Sequence, residues 1–176
     1  MKLSLGLSLV ILVLCAYILG SEAAQVRSGA ENGATMNEHG WFEGVWRFVS
    51  VEVEGVRQPE VPFETNKLII SKDGGFTIVQ GPKITRGRLR VDPTTTPKHY
   101  DFTLTEGPDT GLTALGIYER DGDTYKICLP LRSKERPAVL VSGPGSGCLF
   151  QVFKRETQDV KQALAEIVRE GNESKK

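Results

Sequence analysis

The residue types able to do chemistry are few in this chain. There are two histidines, His39 and His99, and three cysteines, of which Cys15 sits in an apolar N-terminal run; of the serines, Ser146 stands inside a glycine-rich turn (Gly143-Pro144-Gly145-Ser146-Gly147). Two histidines 60 positions apart, without clustered Cys or acidic partners, do not make a metal-ligand spacing. Ser146 lacks the Gly-x-Ser-x-Gly pattern and the strand-turn-helix that a nucleophile elbow needs. Asp121-Gly122-Asp123 has too few oxygen ligands for a calcium loop and reads as a turn. Asp101, Glu106 and Asp109 are near in sequence, but strand geometry gives no reason for two of them to converge on a substrate. The reading is therefore of no catalysis, no metal and no cofactor. Arg86, Arg88 and Arg90 alternate with Gly87, Leu89 and Val91, so their guanidinium groups share the outer face of one strand. That stripe is a candidate anion or polysaccharide contact, or a solvated face paired to Asp101 on the next strand.

Cys128 and Cys148 form a candidate disulfide, chemically allowed in an exported protein. Parity speaks against it: Cys128 shares a face with Lys126, and Cys148 with Phe150 and Val152. On that reading the two thiols point to opposite sides unless a bulge intervenes near Gly147. The pairing stays open on sequence grounds.

The elements that would position these groups begin after an address. Lys2, an apolar run over 3–19 and Ser21-Glu22-Ala23 read as a secretory signal peptide, residues 1–23, cleaved after Ala23. Retention as an anchor and lipidation at Cys15 are the alternatives, the run being at the lower length limit of about 17 residues for a span. The expected location is periplasmic or extracellular. Lys+Arg and Asp+Glu are 22 each, and the signal removes one of each sign, so neutrality survives processing. A bulk nucleic-acid partner is excluded on charge, and the mature domain is not expected to span a membrane.

Residues 24–40 lack periodicity and read as a flexible leader. Every aromatic residue except Tyr17 falls between Trp41 and Phe153, so the folding unit is 41–155. Within it, alternating apolar residues and regular turn signals predict eight strands: 44–54, 67–71, 76–79, 84–91, 100–105, 112–119, 124–129 and 149–155. Consecutive hairpins favour an all-β, eight-stranded up-and-down barrel over a two-sheet sandwich. Alternation turns Leu68, Ile70, Phe76, Ile78, Leu89, Val91, Tyr100, Phe102, Tyr125 and Ile127 inward. The connection 55–66 carries Phe63 and is the candidate lid. In 156–176, Val160, Ala163, Leu164, Ile167 and Val168 make one apolar stripe, a C-terminal amphipathic helix capped by Asp159 and ending at Gly171.

Several short motifs follow one another in order: Gly44-x-Trp46, Asp92-Pro93 through Pro97-Lys98 to Asp101, Gly116-Ile117-Tyr118-Glu119 with Asp121-Gly122-Asp123, Ile127-Cys128, Lys134-Glu135-Arg136-Pro137, Gly145-Ser146-Gly147 and Lys154-Arg155. This succession resembles an uncharacterised family of exported domains abundant in Planctomycetes, which implies no established activity. The layout is also similar, more loosely, to the lipocalins. That likeness implies that Trp46 plugs the closed end with Arg155 over its ring, and that the loop containing Phe63 lids the mouth. The resulting expectation is a lipocalin-like barrel binding a small apolar or amphipathic ligand in a lumen lined by Leu68, Ile70, Phe76, Ile78, Leu89, Tyr100, Phe102, Tyr125 and Ile127. The alternative is a filled barrel that meets a cell-envelope protein partner through the arginine stripe or the loop holding 142–147. A lumen below about 300 Å³ rules out the carrier.

Overall fold

The computed structural model describes residues 33–59, 66–131 and 134–173. The signal-peptide expectation, and Phe63 with it, lie outside those residues. The order of elements is α1 (Gly33–Phe42), β1 (Gly44–Val53), β2 (Val56–Arg57), β3 (Lys67–Ile70), β4 (Gly75–Gln80), β5 (Lys83–Asp92), β6 (Lys98–Leu104), β7 (Thr113–Asp121), β8 (Thr124–Pro130), β9 (Cys148–Arg155) and α2 (Val160–Glu173).

Each strand from β3 to β9 pairs antiparallel with the next, and β1 pairs with both β3 and β9. The eight long strands therefore close into the expected all-β, lipocalin-like up-and-down barrel with a C-terminal helix. The closing ladder runs from Trp46 opposite Arg155 to Val53 opposite Leu149, with a bulge between Phe48 and Ser50. The bulge shifts the alternation by one residue, so Trp46 and Phe48 below it and Val51 and Val53 above it all belong to the interior. The two-residue β2 lies inside the connection expected as a lid and forms a short hairpin with the end of β1.

All ten residues expected inward belong to one interior cluster. Alternation is a reliable guide here because one face of every strand is dry and the other is wet or only locally covered. The α2 stripe packs on the outside of the barrel, where Ala163, Leu164 and Ile167 cover Val45 and Ile69. The Asp159 carboxylate caps the helix by accepting from the N–H groups of Lys161 (2.8 Å) and Gln162 (3.2 Å). The helix continues past Gly171 to Glu173, and Val168 is exposed rather than packed.

The leader requires correction. Residues 33–42 are helix α1, not a flexible segment, and Glu38 and Phe42 of this helix are buried against the barrel. No local apolar stripe announces this helix. It is held by what its side chains find on the barrel, as expected of a helix too short to be stable alone.

Candidate functional site

The two ends of the barrel differ. At the closed end β1 begins, and Trp46 is fully buried there. Its ring meets Tyr125 edge-on at 4.7 Å, its Nε1–H donates to the Phe42 carbonyl at 2.8 Å, and the Arg155 guanidinium lies 4.1 Å above it. Arg155 thus lies over the ring of the buried Trp46, the contact that the lipocalin likeness implies. Arg155 also donates to the carbonyl oxygens of Glu43 (2.6 Å) and Trp41. Trp41 is held between two guanidinium groups, Arg120 at 4.8 Å and Arg155 at 5.2 Å.

Sequence reasoning missed that α1 completes this end. Phe42 is fully buried against Tyr100, Tyr118 and Tyr125. The buried Glu38 carboxylate accepts from the Tyr118 hydroxyl at 2.8 Å and pairs with Arg120 at 2.8 Å. His39 Nε2 accepts from the Val91 N–H at 3.2 Å. That last bond has a topological cause. Strand β4 starts at Gly75, opposite Arg88, so β5 runs on past its partner. The Leu89 N–H finds the Gly74 carbonyl, and the Val91 N–H finds His39. Burial pushes the pKa values of Tyr100, Tyr118 and Tyr125 above the ordinary tyrosine value, and the Tyr125 hydroxyl has no hydrogen-bond partner among the described residues.

The open half of the barrel holds an apolar cup of about 80 Å³. Of the expected lumen residues, Leu68, Phe76, Ile78, Tyr100, Phe102 and Ile127 line it. Ile70, Leu89, Val91 and Tyr125 lie in the interior but not in the cup wall. The sequence reading missed Phe48, Leu104, Leu112, Leu129, Leu149 and Phe153, together with the polar Thr85 and Gln151. A lumen of about 80 Å³ falls well below the 300 Å³ set as the carrier's lower bound. Aromatic rings occupy the rest: Phe153 stacks on Tyr125 at 4.7 Å and Phe76 meets Phe102 edge-on at 5.8 Å.

The rim of the open end is built from the long β8–β9 connection and the β1–β2 hairpin. Arg136 forks onto both carboxylate oxygens of Asp101 on β6 and also donates to the Gly116 carbonyl on β7. Leu140 packs over Ile117, Cys128, Cys148 and Phe150 on the outer face. The Gly55 N–H donates to Ser142 Oγ at 2.7 Å. Gly55 has φ of 82°, and a Cβ there would stand 2.9 Å from the Gly143 Cα, so two loops meet glycine to glycine. Val56, Val139 and Val141 are exposed on these two loops.

Cys128 and Cys148 are joined, which corrects the parity argument. In register, Cys128 faces Phe150 and Pro130 faces Cys148. Phe150 and Val152 therefore lie on the outer face with Lys126 and Cys128, while Leu149, Gln151 and Phe153 point inward. The cysteines are diagonal neighbours on one face, and no bulge is needed. Their Cα atoms are 5.9 Å apart, within the range a disulfide spans.

The arginine stripe is largely neutralised. Arg86 pairs with Glu106 at 2.7 Å and Arg88 with Asp73 at 3.0 Å. Asp101, expected to answer the stripe, is taken by Arg136. Burial and, next, the Arg136 charge hold His99 below the ordinary imidazole pKa. Among the described residues no three His, Cys, Asp or Glu side chains gather as a metal site, and no helix is long and apolar enough to cross a membrane. No family model, curated protein or solved structure matches the chain.

Proposed function

We propose that the chain is an exported, non-catalytic lipocalin-like barrel that acts through its open-end rim as a cell-envelope protein-interaction module. The observation that carries this reading is the lumen of about 80 Å³. Pockets that bury a small ligand run to about 300 to 1,000 Å³. A small-molecule carrier needs more interior than this.

The rim supplies what the lumen lacks. Its long connection is fastened to the barrel by the Arg136–Asp101 pair, by the Leu140 contact over the cysteines and by the Ser142–Gly55 bond. It presents Val139 and Val141 beside Val56 of the neighbouring hairpin. Exposed apolar side chains on ordered loops of a rigid scaffold suit protein recognition, because little ordering entropy is lost on binding.

Native mass spectrometry of the protein recovered from its exporting host tests this. The expected result is a stoichiometric protein partner and no retained small apolar mass. The double variant Val56→Asp, Val141→Asp is expected to lose the partner with an unchanged thermal midpoint. A retained lipid-like mass, or a partner that survives the double variant, refutes the reading.

A further inference from the structure

Phe42 of α1 fills part of the barrel interior, and α1 is fastened in part by a bond to an imidazole nitrogen. The Val91 N–H donates to His39 Nε2 at 3.2 Å. A ring nitrogen accepts only while it carries no proton, so the latched imidazole holds its proton on Nδ1. Protonating Nε2 removes the acceptor and leaves the Val91 N–H, on the unpaired extension of β5, without its partner. Titratable and charged groups stand on the elements packed near α1, beginning with the Tyr100, Tyr118 and Tyr125 hydroxyls on β6, β7 and β8, whose rings meet Phe42. On and just after α1 are Glu38, paired with Arg120 of β7, and Glu43. On β5 are Arg90 and Asp92, the Asp92 carboxylate being occupied by Thr94, whose hydroxyl and N–H hold its pKa down. On β6 are Lys98, over the Tyr118 ring, and His99, opposite Asp92. On β9 is Arg155, bound to the Trp41 and Glu43 carbonyls.

Phe42 ends the same helix and is fully buried in the barrel interior. Its ring lies 5.7 Å from that of Tyr100, and Tyr100 is also a wall of the open-end cup. Phe42 and the cup are therefore separated by one shared side chain. We propose that α1 is a stopper latched by His39, and that protonation of His39 favours its withdrawal and extends the cup toward the closed end. The inference does not rest on the rim reading, since it concerns the opposite end of the barrel.

One proton taken up on opening changes the opening constant by at most tenfold per pH unit, which makes the effect measurable and bounded. The chain has only two histidines, His39 and His99, so two variants assign it. Hydrogen exchange of residues 33–42 in the full exported protein is followed from pH 7.5 to 5.0, corrected for intrinsic exchange, in the wild type, His39→Gln and His99→Gln. This window lies above the ordinary carboxyl range. A glutamine oxygen accepts at every pH in it.

The opening constant is expected to rise at least tenfold across the window in the wild type and His99→Gln, and less than twofold in His39→Gln. Fluorescence of added 1-anilinonaphthalene-8-sulfonate is expected to rise in parallel as the lumen opens. An equal rise in His39→Gln, or none in the wild type, overturns the proposal. Imidazole nitrogen resonances of the wild type give a second measurement that needs no variant: at pH 7.5 His39 is expected with its proton on Nδ1 and Nε2 accepting, and a proton on Nε2 overturns the proposal.

Discussion

Replacing Trp46 by alanine removes three things at once, and each has a size. The ring is fully buried, and a tryptophan hides about 150 to 250 Å². At about 25 cal/mol per Å² that amounts to about 4 to 6 kcal/mol as an upper bound, because the unfolded chain already hides part of its surface. The Nε1–H bond to the Phe42 carbonyl contributes about 1 kcal/mol. The Arg155 guanidinium, 4.1 Å from the ring, contributes about 0.5 to 2 kcal/mol. Measured losses for Trp→Ala in cores, about 3 to 5 kcal/mol, already include such terms and partial collapse. The expected cost is therefore about 4 kcal/mol in urea or guanidinium unfolding at 25 °C.

A double-mutant cycle of Trp46→Ala with Arg155→Met should give a coupling of about 1 kcal/mol, since the two side chains touch. Arg88→Ala is the reference: it breaks an exposed pair with Asp73 and should cost under about 0.5 kcal/mol. A Trp46→Ala loss as small as that of Arg88→Ala would refute the assignment of Trp46 as the plug. A full-sized loss with zero coupling would leave burial standing and remove the cation–π contact from the account.

Three other outcomes follow from the same geometry. Reducing the Cys128–Cys148 bond, whose partners are 20 residues apart, should destabilise the fold by about 3 kcal/mol through unfolded-state entropy, read as a lower denaturation midpoint in the presence of a dithiol. Gly116→Ala should cost about 2 kcal/mol or more, because the new Cβ would lie 2.7 Å from the Tyr100 carbonyl oxygen and 3.0 Å from that of Cys128, and a β-ladder cannot move aside cheaply; thermal unfolding checks it. Tyr100, Tyr118 and Tyr125 all have folded pKa values raised above the unfolded value of about 10. Their stabilisation is complete below pH 10 and is lost as pH rises toward the folded values, at up to about 1.4 kcal/mol per pH unit for each ring. Absorbance at 295 nm should show these phenols ionising only as the protein unfolds.

The strands were legible because strand burial is written locally. One dry face and one wet face force alternation at period two, and Leu68 and Ile70, Phe76 and Ile78, and Tyr125 and Ile127 obey it. The α2 stripe was legible for the corresponding reason at period 3.6. Two features misled a local reading. On β9 both faces carry large apolar residues, because Phe150 lies under Leu140 outside while Leu149 and Phe153 fill the inside. Alternation then has no polar marker, and the parity of Cys148 was assigned to the wrong face. On α1 the holding contacts come from Glu38, His39, Trp41 and Phe42, each reaching a different partner in the folded barrel. Such a helix has no repeat to read.

By itself, then, the sequence determined the eight long strands, the inward faces of five of them, the outer helix and the balance of charge, while the Trp46 and Arg155 pair came from the lipocalin likeness. These depend on residue type and spacing along one element, or on a layout carried by a few marker residues. The tertiary structure alone decided how deep the lumen is, which side the cysteines share, that Arg136 rather than the arginine stripe claims Asp101, and that α1 stops the closed end. Each of these is set by how rings and loops from distant segments fill a common volume. Close packing makes that a property of the whole barrel, which no single stretch of chain contains.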